Sequence, residues 1–406
     1  MPGSRGVFRS VADHQRVVAD LIRARPAQTI AVADALGLVL AADVVAPLAL
    51  PVFDNSAMDG YAVRVEDVAA ADADSPVKLP VAEDIPAGRT DLLTLAPGTA
   101  HRIMTGAMMP RGATAVVPVE RTDAGTAEVA ISAAVAPGQH VRRRGEDVDA
   151  GSTVLRAGEV LTPAALGLAA ALGVAALPVI PRQRVLVVST GSELVAPGTP
   201  LLPGQIYESN AVMLAAAVRD AGAEVAGMAA SGDDVGQFTA TLQGYTGRAD
   251  VVITSGGVSA GAYEVVKDAF TDGSVEFVKV AMQPGMPQGA GRTRSGGPLI
   301  ALPGNPVSAL VSFEVFLRPA LRAAMGLPRT HRQRVSAVLT EALTSPAGKR
   351  QFRRGVYEPA TGRVSAYGPP ASHHLRWLAS ANCLLEIPED VTELAAGARV
   401  DVWDLS

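Results

Sequence analysis

VVITSGGVSAG, residues 251–261, opens as an apolar run and closes as a loop of small polar residues. Val251 to Thr254 read as a buried strand. Ser255, Gly256 and Gly257 follow, then Ser259 and Gly261. Two readings of the loop are open. It is a tight turn and nothing more, or its exposed backbone N–H groups receive something negatively charged.

The same texture recurs on either side. RVLVVST (184–190), AEVAGMAA (223–230), VEFVKVA (275–281) and PLIALP (298–303) are short apolar runs. NAVMLAAAVRDAG (210–222) and VSALVSFEVFLRPALRAAMG (307–326) between or after them have helical spacing. Apolar strands alternating with helices predict a doubly wound, mostly parallel α/β sheet covered on both faces, over residues 183–328. GRTRSGGP (291–298) reads as a hairpin turn, so one strand pair is expected to be antiparallel.

The flanking regions differ. From 51 to 144 short Val-rich runs broken by Gly, Pro and Asp predict an all-β insert. From 329 to 406 five further short runs predict a small C-terminal β-domain. Residues 1–50 and 145–182 read as one helical linker domain split by the insert. Its pieces are SVADHQRVVADLIRA (10–24), TIAVADALGLVLAADVV (29–45) and a helix capped by Thr162 and begun by Pro163. The uncharged run at 164–180 is short for a membrane span and reads as a buried helix.

Composition narrows the function. The chain has 406 residues, 48% of them hydrophobic and 4% aromatic, and a net charge of −5. This gives no general attraction to nucleic acid or to an anionic membrane. One cysteine and six histidines without helical His-x-x-x-His spacing argue against a disulfide framework and a zinc site. The first residues lack the apolar core of a secretory signal, so a soluble, cytoplasmic protein is expected.

In an open α/β sheet ligands bind beyond the carboxyl ends of the strands. Four such ends carry small donors: Gly191-Ser192-Glu193, Ser231-Gly232-Asp233-Asp234, Gly256-Gly257-Val258-Ser259 and Gly304-Asn305-Pro306. Singly, each reads as a turn or helix cap. Together they predict a site for a phosphate or other oxyanion. The carboxylates would repel that anion unless a cation lies between, and Mg2+ held by one or two carboxylates plus phosphate answers this. In the insert, Asp54, Asn55, Ser56 and Asp59 stand among Phe53, Met58 and Tyr61, and Thr105-Gly106 follows a short strand. Arg142, Arg143 and Arg144 precede Glu146 and Asp147. They form a solvated, self-neutralised edge or an anion dock.

PVFDNSAMDGYAV, RIMTGA, RRRGED, STGSEL, GQIYESN, SGGVSAG and LPGNPVSA, in this order, resemble the molybdopterin molybdenumtransferases. These are the MoeA-like proteins of bacteria, to which the C-terminal enzyme domain of gephyrin is similar. The resemblance spans nearly the whole chain. It implies a homodimer of four-domain subunits, with the active cleft between the α/β domain of one and the β insert of the other. It implies insertion of molybdate into adenylated molybdopterin with Mg2+ and release of AMP. The molybdopterin adenylyltransferase and acceptor molybdoenzymes are the implied partners.

Carried onto this sequence, the resemblance marks Asp59, Thr105, Asp147, Glu193 and Asp233 as catalytic. Ser255, Gly256, Gly257, Ser259, Lys279, Pro303, Gly304, Asn305, Pro306 and Ser372 are expected to bind substrate, and Glu193, Asp233 and Glu264 the metal. Two places depart. Glu264 stands where the family commonly has Asp, and Gln283 and Met286 replace two lysines of a K-x-x-x-K-P-G-K-P pattern of which Lys279 remains. Arg292 and Arg294 are candidates to compensate. The loss of two cations leaves an alternative, a paralogue that binds and delivers molybdopterin or finished cofactor without catalysis.

Overall fold

The computed structural model describes residues 8–258 and 264–406. The chain divides into two compact units, Met1–Gln28 with Val179–Ser406, and Thr29–Pro178.

The first unit is built on a six-stranded sheet. Its strands are β1 (Arg184–Thr190), β2 (Glu224–Ser231), β3 (Val251–Ser255), β4 (Val275–Lys279), β5 (Pro287–Arg292) and β6 (Pro298–Leu302), in the order β2-β1-β3-β6-β5-β4. β2, β1, β3 and β6 are parallel. β5 runs antiparallel to both β6 and β4. The β5–β6 turn is the expected hairpin, closed by Thr293 N donating to Gly297 O at 2.8 Å.

Strand alternation sends β1 side chains into two cores. Val185 and Val187 pack on one face, with Leu214 and Val218 of α2 (Asn210–Asp220) and with Val11 and Val18 of α1 (Val11–Leu21). Leu186 and Val188 pack on the other. There they meet Phe238 of α3 (Val235–Gly244) and Val265 and Val266 of α4 (Val265–Ala269). The sheet is thus covered on both sides, as its apolar strands require.

After β6 come α5 (Pro306–Ser312), a π-turn (Phe313–Leu317) and α6 (Arg318–Ala324). Pro319 has no N–H to return to the Val315 carbonyl. Gln15 Nε2 of α1 donates to that carbonyl instead, at 3.1 Å. The C-terminal part forms a small closed barrel of Arg334–Leu339, Arg350–Glu358, Arg363–Ala366, Cys383–Ile387 and Arg399–Asp404. Closure comes from pairing of Arg350–Glu358 with Cys383–Ile387.

In the second unit a mixed sheet orders Ala115–Pro118, Gly60–Val63, Ala100–Ile103, Val77–Ile85 and Glu128–Ile131. These strands fall on the short Val-rich runs expected of the β insert. The helical linker domain needs correction. Residues 29–45 form the strands Gln28–Ala31, Val39–Leu40 and Val44–Val45 around a short 3-10 turn, because Gly37 sits at φ 72° and ends any helix there. Helix α1 belongs to the first unit. Helix Pro163–Ala171 is capped as expected, Thr162 Oγ1 accepting from Ala165 N at 3.2 Å. It is not buried, since Ala164, Gly167, Ala170 and Ala171 are exposed. Among the described residues no helix is long and apolar enough to cross a membrane.

Candidate functional site

The four parallel strands end on a cleft of about 1180 Å³, whose far wall is a loop of the barrel around residues 370–375. Glu193, Asp233, Glu264, Ser255, Gly256 and Gly257 line it, and so do Pro303, Gly304, Asn305, Pro306 and Ser372. These candidates come from distant parts of the sequence, and strand order brings them together. Ser259 lies outside the described residues. Lys279 is exposed at the end of antiparallel β4 and is not part of the lining. Gln283 and Met286 do line the cleft, as neutral side chains. Among the described residues the lining contains one lysine, Lys349, and no arginine. Arg292 is tied into the hairpin, donating to Gly296 O at 2.9 Å.

Hydrogen bonds separate residues that cap a helix from neighbours that do not. Asp234 caps α3, its Oδ1 accepting from Gln237 N at 2.7 Å. Asp233 is not the cap. Its Oδ2 accepts from Ser192 Oγ at 2.7 Å and Ser192 N at 3.3 Å, which pins the loop after β1 to the loop after β2. Asn305 precedes α5 but makes no side-chain cap. Its Nδ2 donates across to Ser372 Oγ at 2.9 Å, while Val307 N donates to Ser372 O at 3.1 Å. The barrel is thereby fastened to the start of α5.

The glycines after β3 are needed by the backbone. Gly256 and Gly257 have φ of 99° and 66°, and a Cβ on Gly257 would lie 2.7 Å from Val266 Cγ2. Both the turn and the close packing therefore require them, whatever the loop binds.

Two cleft residues carry roles that the sequence did not assign. Buried Glu208 accepts from Ser189 Oγ at 2.7 Å and from Ala211 N at 2.8 Å, so it caps α2 and holds the end of β1. Asn210 donates to Ser255 Oγ at 2.8 Å and Gly304 O at 2.6 Å, tying the ends of β3 and β6. The available signal was the ESN triplet placed just before a helical run.

Glu193 and Asp233 offer hard oxygen ligands to the cleft. Glu193, Asp233 and Glu264, the three expected ligands, all line the cleft, but among the described residues no three His, Cys, Asp or Glu side chains stand close enough to hold a metal alone. The donor set fits an Mg2+ that takes its remaining oxygens from a phosphate and water, and does not fit a protein-only cage.

In the second unit Asp59 and Thr105 are bonded to each other. Asp59 Oδ1 accepts from Thr105 N at 2.7 Å and Thr105 Oγ1 at 2.8 Å, and these bonds hold its pKa below the usual carboxylate range. Asp54 accepts from Arg144 N at 2.8 Å and Arg143 Nη1 at 2.7 Å, and its pKa is lowered by the same two partners, the backbone N–H first. Part of the arginine triplet is therefore engaged within the unit. Asp147 is exposed, and its N–H donates to Leu50 O at 2.9 Å.

Comparison with known proteins accounts for this arrangement. The family model of the MoeA N-terminal region (domain I and II) matches residues 9–173. That of a probable molybdopterin binding domain matches 186–323, and that of the MoeA C-terminal region (domain IV) matches 336–405. The chain is 68% identical to molybdopterin molybdenumtransferase 2 of Mycobacterium tuberculosis (strain CDC 1551 / Oshkosh), over 98% of its own length and 100% of the relative. The chain belongs to the molybdopterin molybdenumtransferases. Molybdopterin molybdenumtransferase 1 of the same strain is 39% identical, over 97% of this chain and 98% of the relative. The crystal structure of a molybdopterin biosynthesis MoeA protein from Pyrococcus horikosii superposes with a TM-score of 0.80 at 30% identity, covering 98% of this chain and 100% of that one. The cleft described above lies within the segments matched by the molybdopterin-binding and C-terminal models.

Proposed function

We propose that this chain inserts molybdate into adenylated molybdopterin, with Mg2+-dependent release of AMP, and so makes molybdenum cofactor. One observation carries the reading: Glu193, Asp233, Ser255, Gly304, Asn305 and Ser372 converge on a single cleft. Molybdate and phosphate are both oxyanions, and the cleft must hold them against each other. Ser372 Oγ accepts from Asn305 Nδ2, which leaves its own O–H to donate to an oxyanion. Glu193 and Asp233 would hold the Mg2+, which when bound neutralises and polarises the phosphate. Ser192 keeps the Asp233 carboxylate turned to that task.

The further parts of the proposal rest on the family resemblance. The subunits form a homodimer, in which the partner subunit's Asp59, Thr105 and Asp147 complete the cleft. The β insert (51–144) acts as a domain apart from the α/β part (183–328) and the C-terminal part (329–406), which share one compact unit. The enzyme works in the cytoplasm, between the molybdopterin adenylyltransferase and acceptor molybdoenzymes.

A second reading, a paralogue that binds and delivers cofactor, is favoured by the neutral Gln283 and Met286 in the cleft. One assay separates the two. The chain is mixed with adenylated molybdopterin, molybdate and Mg2+, and AMP is measured. Molybdate-dependent AMP release supports the enzyme. Binding without release supports the carrier.

A further inference from the structure

The barrel reaches the cleft through a loop with little structure of its own. Residues 369–374 contain Pro369 and Pro370, which have no N–H, and the segment pairs with no strand. Pro369 and Pro370 are exposed, and yet the loop must present Ser372 to Asn305 and to the start of α5. Something has to fix its path.

Arg354 does so from beneath. It lies on the barrel strand Arg350–Glu358 and is 4% exposed. Its Nη1 donates to Ala371 O at 3.1 Å and His374 O at 3.3 Å, and its Nη2 donates to Pro369 O. Three carbonyls of one short loop thus converge on a single guanidinium. No carboxylate among the described residues forms an ion pair with Arg354, so loop carbonyls are the solvent for this buried charge. The same strand touches the cleft lining a second time, where Gln351 Nε2 donates to Gln283 Oε1 at 2.8 Å.

We propose that Arg354 is the positioning residue of the barrel-side wall: it sets the loop 369–374 so that the Ser372 hydroxyl faces the oxyanion in the cleft. The proposal rests on the functional reading above only for what Ser372 binds. The planar fork of arginine suits the task. A lysine at the same place is a single point charge on a flexible stem and cannot reach three diverging carbonyls in fixed directions.

The test uses the full-length chain as wild type, Arg354→Lys, Ser372→Ala and the double variant. Hydrogen exchange at the amides of Val307, Leu375 and Leu378, which donate to the carbonyls of Ser372, His373 and His374, reads the loop directly, without substrate. Arg354→Lys is expected to raise exchange there about tenfold, with the barrel strands unchanged. Unchanged loop exchange overturns the proposal, and so does a uniform rise across the barrel, which would mark Arg354 as a general stabiliser. Kinetics reads the consequence. Arg354→Lys and Ser372→Ala should each lower kcat/KM for molybdate about tenfold, and the double variant should be no worse than Ser372→Ala alone, because both act through one hydroxyl. Additive losses overturn it. If the wild type releases no AMP but the loop loosens in Arg354→Lys, the functional reading falls and the positioning role stands. Should Arg354→Lys fold poorly, Arg354→Gln, which keeps a planar donor, takes its place in both measurements.

Discussion

Thr105 gives both its N–H and its hydroxyl to one oxygen of Asp59, at 2.7 and 2.8 Å. An asparagine at 59 can accept both bonds through its amide oxygen, and only the charge is lost. Asp59→Asn should therefore keep the turn and its melting temperature while turnover falls roughly 100-fold or more, the scale of one charged group lost at a reacting centre. Asp59→Ala should lose the turn as well. Asp59→Asn with wild-type AMP release would remove this residue from the reaction.

Asp233 and Asp234 are neighbours with different work. Asp234→Ala should cost about 1 kcal/mol of stability through the lost α3 cap. Its Mg2+ dependence should stay unchanged. Asp233→Asn should raise the Mg2+ concentration needed for half-maximal activity with a small change in stability. Titration of activity with MgCl2, beside thermal melts, checks the pair. The opposite pattern would make Asp233 a structural residue.

Gly257→Ala and Gly304→Ala should part company. At Gly257 the φ of 66° and the nearby Val266 make the added methyl strained, at about 1–3 kcal/mol. At Gly304 a Cβ meets only the backbone of Gly256, Cα at 3.4 Å and N at 3.9 Å, which is ordinary contact. Gly304→Ala should leave melting nearly unchanged and weaken binding of adenylated molybdopterin by crowding the exposed backbone. Equal affinity in Gly304→Ala and wild type would mean that no ligand approaches there.

His14 is buried edge-on against Phe316, at 4.7 Å between ring centres, and neither ring nitrogen has a hydrogen-bond partner among the described residues. Burial first, then the charge of Arg9, pushes its pKa from 6.5 down to about 4. The unfolded chain binds this proton more readily than the folded one. Above about pH 6.5 the group has no effect, and stability falls as the pH drops from 6.5 to about 4. The full loss is roughly 3 kcal/mol. Melting curves across that range should show the fall, and His14→Leu should flatten it.

Much of this architecture is legible in the sequence where β-branched residues crowd together. RVLVVST and VVITS have few alternatives to a covered strand, and the glycines behind them mark the strand ends. β5 was not legible, because PQGAGR has no β-branched residue and is a strand only through its two neighbours. Residues 29–45 misled in the other direction. Their apolar spacing imitates a helix, and the chain instead turns at Gly37 into strands two to four residues long. At the site, residue types were readable and roles were not. Asp233 and Asp234 are indistinguishable until one is seen capping a helix. Asn210 acts on partners 45 and 94 positions away, a relation no local pattern contains.

Helix α1 is made early on the ribosome and finished late. Its Gln15 meets the Val315 carbonyl, 300 residues further along, and its Val11 and Val18 share a core with β1. At typical synthesis rates roughly 15–60 s pass between the two partners. The whole second unit, Thr29–Pro178, can emerge in that interval. The nascent helix must keep an apolar stripe unburied while its neighbours are still being translated. The order of the chain thus sets a delay between the making of α1 and its burial, and a variant with α1 moved to a position after α6 would shorten it.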